Sequence, residues 1–147
     1  MRRVATVILS AIAVAACSTA EPVEQADVTA ALDAVSAWLA ADDDGVATDE
    51  AEARAAEVVE QAAPIVEARP DVEGLDDEQT AAFHDALADL RDSVAAQRDV
   101  LADCDDPDPT TCIARSDLHP ADVQAPVEAF QEAIAPLVAR APSASAA

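Results

Sequence analysis

Lysine, asparagine and tyrosine are absent from the 147-residue chain, and glycine occurs only twice. The eight basic residues are therefore all arginines, set against 30 aspartates and glutamates, and the formal net charge is −22 at pH 7. Nucleic acids and anionic lipid head groups are also negative, so this balance argues against binding either of them through the folded domain. The scarcity of glycine also argues against a glycine-rich loop that cradles phosphate.

A long apolar run is missing as well. The first apolar stretch, residues 4–16, covers thirteen residues and follows Arg2 and Arg3, whereas a membrane-spanning helix needs roughly 17 to 25 apolar residues. Two positive charges, a short apolar segment and small residues are the anatomy of a signal peptide. The sequence therefore predicts an N-terminal signal peptide over residues 1–16.

The end of this stretch, Val14-Ala15-Ala16-Cys17, resembles the lipobox of bacterial lipoproteins. The resemblance covers about the first twenty residues. It implies that the Cys17 thiol carries a diacylglyceryl lipid and that the chain is cut before Cys17. The residues after Cys17 are polar and include Pro22, so residues 17–26 are predicted to form the lipidated Cys and a flexible tether. The resemblance also implies a location at the cell membrane, facing the extracytoplasmic side. An ordinary secretory peptide, in which Cys17 has no special role, is the alternative.

The chain contains only three cysteines. If Cys17 carries lipid, Cys104 and Cys112 remain, and an exported protein meets oxidising conditions that allow them to form a disulfide. The segment between them is the turn-rich DDPDPTT. A zinc site is the competing interpretation, but zinc needs more ligands than His119 nearby would supply. The sequence predicts the disulfide and no metal site.

Apolar residues recur at helical spacing in four segments after the tether. The four sets are Val28, Leu32, Val35 and Leu39; Ala55, Val58, Ala62 and Ile65, with Arg69; Phe83, Leu87, Leu90, Val94 and Leu101; and Val123, Val127, Phe130, Ile134 and Leu137. No stretch alternates with a period of two for long enough to indicate a strand. The sequence therefore predicts an all-α fold.

Local signals place the starts of three of these helices. Thr48 followed by two acids predicts a capping hydroxyl, Asp76 with Gln79 resembles a capping box, and Pro120 suits a first helical turn. Pro64 removes one helical hydrogen bond, so a kink or break is expected there. Distortion is also expected at two prolines of the last segment, Pro126 and Pro136.

These segments predict one acidic domain over residues 27–140, built as an up-down bundle of four helices. A distorted three-helix arrangement with an extra arm is the alternative. The final residues, 141–147, are low in bulky side chains and predict a disordered tail.

Few motifs suggest chemistry. Asp42-Asp43-Asp44-Gly45 is similar to part of an EF-hand loop, but Ala40 and Ala51 stand where two essential ligands belong, so a solvated loop stopped by glycine is favoured. The aspartates at 103, 105, 106 and 108 form a second acidic cluster, interpreted as a charged surface loop rather than a weak calcium site. His84 and His119 are predicted to be surface residues. The sequence predicts no catalytic residues and no cofactor.

Two functions follow from these observations. The first is a non-enzymatic, lipid-anchored interaction or structural module of the cell envelope. The second is a lipoprotein that binds a cation or a small or cationic ligand through its acidic loops or its bundle. Removing residues 1–16 changes the formal charge from −22 to −24, so a basic protein partner or loosely bound divalent cations are further expected partners.

Overall fold

The computed structural model describes residues 22–140, and within this range it contains six α-helices and no strand. The helices are α1 (Gln25–Leu39), α2 (Ala41–Asp44), α3 (Thr48–Ala68), α4 (Asp77–Ala102), α5 (Pro109–Arg115) and α6 (Pro120–Arg140). The all-α prediction is confirmed, whereas the predicted count of four is wrong. The predicted signal peptide, the lipidated Cys17 and the predicted tail lie outside the described residues.

Four of the helices are long, with 15 to 26 residues, and they correspond to the four periodic segments. The two additional helices are short connectors. They are too short to show a periodic apolar pattern, so the sequence does not predict them. The four-residue α2 ends at Gly45, whose φ of 62° is left-handed and suits a residue without Cβ. The predicted glycine stop is therefore present, but the acids before it form a helical turn rather than an open loop.

The long helices alternate in direction. The start of α1 lies beside the α3–α4 connection, where the Gln25 side chain accepts a hydrogen bond from the Glu73 backbone N–H. The end of α6 reaches the same place, since Arg140 donates to the Gly74 carbonyl. We call this the α1-start end of the bundle. The opposite end holds α2, the start of α3, the end of α4, α5 and the start of α6.

Packing runs in the order α1, α3, α4 and α6, each helix lying against the next. The core between them contains side chains from all four long helices. The largest fully buried ones are Phe83, Phe130, Ile65, Leu87, Leu90, His84, Val28, Val58 and Val94. None of the helices described by the structure combines the length and apolar character required to cross a membrane.

The capping predictions had mixed outcomes. Asp76 caps α4, and its carboxylate and the Gln79 side chain exchange hydrogen bonds with backbone N–H groups as predicted. Thr48 is not a cap: it is the first residue of α3, and Ala47 holds the N-cap position. The Thr48 hydroxyl instead donates to the Asp106 carbonyl at 2.6 Å. This hydroxyl therefore joins two distant parts of the chain.

The prolines do not interrupt their helices. α3 continues through Pro64, and α6 continues through Pro126 and Pro136. Pro64 and Glu60 are both exposed, so the Glu60 carbonyl that loses its helical partner can bond to water. The predicted break at Pro64 is therefore absent, and α6 begins at Pro120 as predicted.

Candidate functional site

The bundle end opposite the α1 start is held together by a covalent link. The Sγ atoms of Cys104 and Cys112 lie 2.02 Å apart, at disulfide distance. Cys104 follows the end of α4, and Cys112 lies within α5, so the link fixes α5 against the end of α4. Thr48 adds a third element, because its backbone N–H donates to the Pro107 carbonyl.

The acidic residues of this disulfide loop take part in local structure. Asp108 caps α5, and the Thr111 hydroxyl donates to its carboxylate at 2.7 Å. This hydrogen bond lowers the pKa of Asp108 below its ordinary value of 3.8. The Asp106 carboxylate accepts hydrogen bonds from the Asp108 backbone and from Arg115. Within residues 22–140, no three histidine, cysteine, aspartate or glutamate side chains form a group suited to a metal ion.

Beside this loop, α1, α4, α5 and α6 enclose a cavity of about 620 Å³ that is partly open to solvent. Its walls are mainly apolar, and each of these four helices contributes to them, together with Ala41 and Asp42 of α2 and Ala51 of α3. Examples are Trp38 and Leu39 of α1, Leu101 of α4, Ile113 of α5, and Val123 and Val127 of α6. The cavity exists because α1 and α6 lie on opposite sides of the α3–α4 pair and do not close over it.

Four polar side chains line the cavity: Gln97, Thr110, Asp42 and Gln124, whose amide donates to the Glu128 carboxylate. Gln97 is only 9% exposed and lies on its wall. Thr110 contributes a hydroxyl, and Asp42 contributes a carboxylate. Sequence reasoning missed Gln97 as a site residue, although a signal was present: it lies seven residues after Leu90, within the apolar stripe of its helix. A polar residue in such a stripe either finds a partner or faces a cavity.

Arg54 ties this end of the bundle to α1. Its guanidinium donates to the Ala37 carbonyl and forms ion pairs with Asp44 and Glu50. The hydrogen bonds to Asp44 and then to Glu50 raise the pKa of Arg54 above its ordinary value. Asp44 is thus paired, whereas Asp42 on the cavity wall forms no ion pair with the described residues.

The two histidines have structural roles. His84 is 1% exposed, so the prediction of a surface residue is wrong for it. Its Nε2 lies 2.7 Å from the Pro70 carbonyl, which only accepts hydrogen bonds, so Nε2 carries the proton. The buried Nδ1 has no hydrogen-bond partner among the described residues. His119 is exposed, as predicted, and its Nδ1 accepts from the Ala121 backbone N–H.

The outer face of α4 is acidic, as its helical spacing indicates. Asp85, Asp89, Asp92 and Asp99 are all exposed. Arg91 and Arg98 have no acid three or four residues away, yet each contacts the aspartate that follows it, at 3.0 and 3.1 Å. Asp85 also pairs with Arg69, which directly follows the end of α3. These exposed pairs contribute little individually, so most of the repulsion between the acids remains.

We expect added salt to raise the melting temperature by a few degrees between low and moderate ionic strength, because ions screen this repulsion. Calcium or magnesium at equal ionic strength should raise it further. A salt series on the full chain at neutral pH measures the effect. The control is the same series near the isoelectric point of about 4.1, where salt should have little effect. A melting temperature that stays flat or falls at neutral pH contradicts the prediction.

No protein-family model, curated protein or solved structure matches the chain. Functional inference therefore depends on the residues themselves. The structure brings the predicted Cys104–Cys112 pair together and places a cavity beside it. It does not gather the acids at 42–44 and 103–108 into a metal site within the described residues.

Proposed function

We propose that the chain is a lipid-anchored, non-enzymatic helical module of the bacterial cell envelope, located on the extracytoplasmic side of the cell membrane. The observation that carries this proposal is Val14-Ala15-Ala16-Cys17, which follows two arginines and a short apolar run. The approach of Cys104 to Cys112 supports export, because disulfides persist in oxidising compartments. The lipid on Cys17 attaches the domain to the membrane, which its acidic surface would not bind.

This anchor gives the domain an orientation. Cys17 precedes the start of α1 at Gln25 by eight positions, a distance that an extended chain spans in at most about 27 Å. The α1-start end of the bundle therefore stays near the membrane. The cavity and the disulfide loop lie at the opposite end of the bundle, where a ligand or a basic partner protein can reach them.

The non-enzymatic part of the proposal is supported by how reactive side chains are used. The His84 imidazole bonds to the Pro70 carbonyl, and the Thr48 hydroxyl bonds to the Asp106 carbonyl. The Ser93 and Ser116 hydroxyls also donate to backbone carbonyls. These groups maintain the fold instead of converging on one point where a substrate would react.

The cavity favours a second function, in which the lipoprotein binds a small ligand. Of the two locations considered from the sequence, the bundle is better suited than the acidic loops. The loop acids Asp106 and Asp108 are occupied by caps and by an ion pair. The cavity wall keeps unpaired polar groups beside apolar surface, which is the usual composition of a ligand site.

The anchor is tested by replacing Cys17 with serine. We expect the unaltered chain to fractionate with bacterial membranes and to have a lipid-modified N-terminus at Cys17 by intact mass spectrometry. The C17S variant should lose the lipid, because serine has no thiol to acylate. The matched control S18A should keep both the lipid and the membrane fractionation. An unmodified wild-type chain, or one that starts at another residue, refutes the anchor.

A further inference from the structure

The volume of the cavity between α1, α4, α5 and α6, about 620 Å³, falls within the range of small-molecule sites, roughly 300 to 1,000 Å³. Residues of all six helices line it, and the Cys104–Cys112 link connects α5 to the end of α4 on one side. Its shape therefore depends on tertiary packing that the disulfide holds in place. Such a preformed site binds without a large cost of ordering.

Gln97 offers a polar contact to a ligand in the cavity. Its side chain is more than nine-tenths buried, lies on the cavity wall, and makes no hydrogen bond with the described residues. Among the described residues the buried side-chain atom without a partner is His84 Nδ1, so the Gln97 amide reaches the solvent in the cavity and is free to bond to a ligand there. The Gln97 amide has both donors and an acceptor, so a ligand with either kind of polar group would satisfy it.

The negative charge around the cavity favours a positively charged ligand. Asp42 lies on the wall and forms no ion pair with the described residues, and Asp43 follows it on α2. Arginine is absent from the cavity wall in the described structure, and nearby Arg54 already pairs with Asp44 and Glu50. A positively charged group at the cavity mouth would therefore meet uncompensated negative charge.

Trp38 adds an aromatic ring to the cavity wall. It is the only tryptophan of the chain, is partly buried, and lies on the cavity wall with Leu101 and Val127. An indole ring offers apolar area and also attracts cations to its face. Apart from Thr110 and Gln124, the remaining wall residues are apolar, so the interior suits a hydrocarbon body.

We propose that this cavity binds a small organic cation: a compact apolar body carrying an amine or quaternary ammonium group. The body packs against Trp38, Leu101 and Val127, while Gln97 and Asp42 bind its polar end. The proposal rests on the second function above, ligand binding by the helical domain, and does not depend on the lipid at Cys17.

The test uses three probes with one hydrocarbon cage: 1-adamantylamine, 1-adamantanol and 1-adamantanecarboxylate. The full chain, purified in nonionic detergent, is titrated with each while tryptophan emission is recorded. Because Trp38 is the single tryptophan and tyrosine is absent, the emission reports on the cavity. We expect saturable binding of the amine with Kd on the order of 0.1 to 1 mM, weaker binding of the alcohol, and the weakest binding of the carboxylate.

Matched variants assign the binding to the named groups. D42N should weaken binding of the amine about fivefold, the upper range for an exposed ion pair. D43N removes the same charge from a residue that does not line the cavity, so it should change the Kd less than about twofold. Q97M keeps the length of the side chain and removes the amide, and it should weaken binding about fivefold.

Three results would overturn the proposal. If the alcohol or carboxylate binds as tightly as the amine, the cavity does not select a cation, although ligand binding itself stands. If D42N and D43N weaken binding equally, only the general surface charge attracts the amine. If none of the probes gives a saturable change in tryptophan emission with folded protein, the cation site and the second function are both wrong. The lipid anchor at Cys17 is tested independently, by intact mass spectrometry.

Discussion

Replacing Phe130 with alanine is expected to lower the free energy of unfolding by about 3 to 5 kcal/mol, the usual loss for a buried phenylalanine. Phe130 is 1% exposed and is the one residue of α6 that is fully buried within the described structure. Its ring centroid lies 5.9 Å from that of Phe83 on α4. The substitution therefore removes the most deeply buried contact between α6 and the bundle.

Urea unfolding followed by far-ultraviolet circular dichroism measures this loss. V138A is the matched control on the same helix, because Val138 is 65% exposed and its truncation should change stability by less than about 0.5 kcal/mol. Amide hydrogen exchange should also accelerate most within α6. A loss no larger than that of V138A would mean that Phe130 does not hold α6 in place.

Removing both Cys104 and Cys112 by serine substitution is expected to lower the free energy of unfolding by about 2.5 kcal/mol. The two residues are separated by 8 positions, and the estimate follows from the entropy that closing so short a loop removes from the unfolded chain. Since α5 forms part of the cavity wall, the double variant should also bind 1-adamantylamine more weakly than the wild type.

Reduction of the wild-type chain with dithiothreitol provides the control and should lower the melting temperature as much as the double substitution does. Before reduction, neither Cys104 nor Cys112 should react with an alkylating reagent. If the melting temperature is insensitive to the reductant, or if these thiols are labelled in native protein, the covalent link is not formed in solution.

His84 shows why burial was difficult to predict from one helix. At 100° per residue it lies on the flank of the apolar stripe of Phe83, Leu87 and Leu90, so helical spacing alone predicts a surface position. The residues that bury it come from elsewhere, notably the α3–α4 connection that presents the Pro70 carbonyl. A one-dimensional pattern contains no information about such a segment.

Periodicity, composition and local caps by themselves determined the all-α class, the four long helices, the Asp76 cap and the acidic face of α4. These features depend on neighbours within one or two turns, which the sequence displays directly. The Cys104–Cys112 pair was also accessible, because two cysteines in a short turn-rich segment have few other partners. The proposed anchor at Cys17 likewise rests on a local motif.

Only the tertiary structure decided which polar residues are buried and where space remains between helices. The Thr48 hydroxyl donates a hydrogen bond to the Asp106 carbonyl, 58 positions away, instead of capping its own helix. Gln97 sits in the apolar stripe without a partner because α1 and α6 do not close over the end of α4. Such features depend on how separate elements pack, and packing is set by contacts between residues far apart in the chain rather than by the periodicity of any one helix.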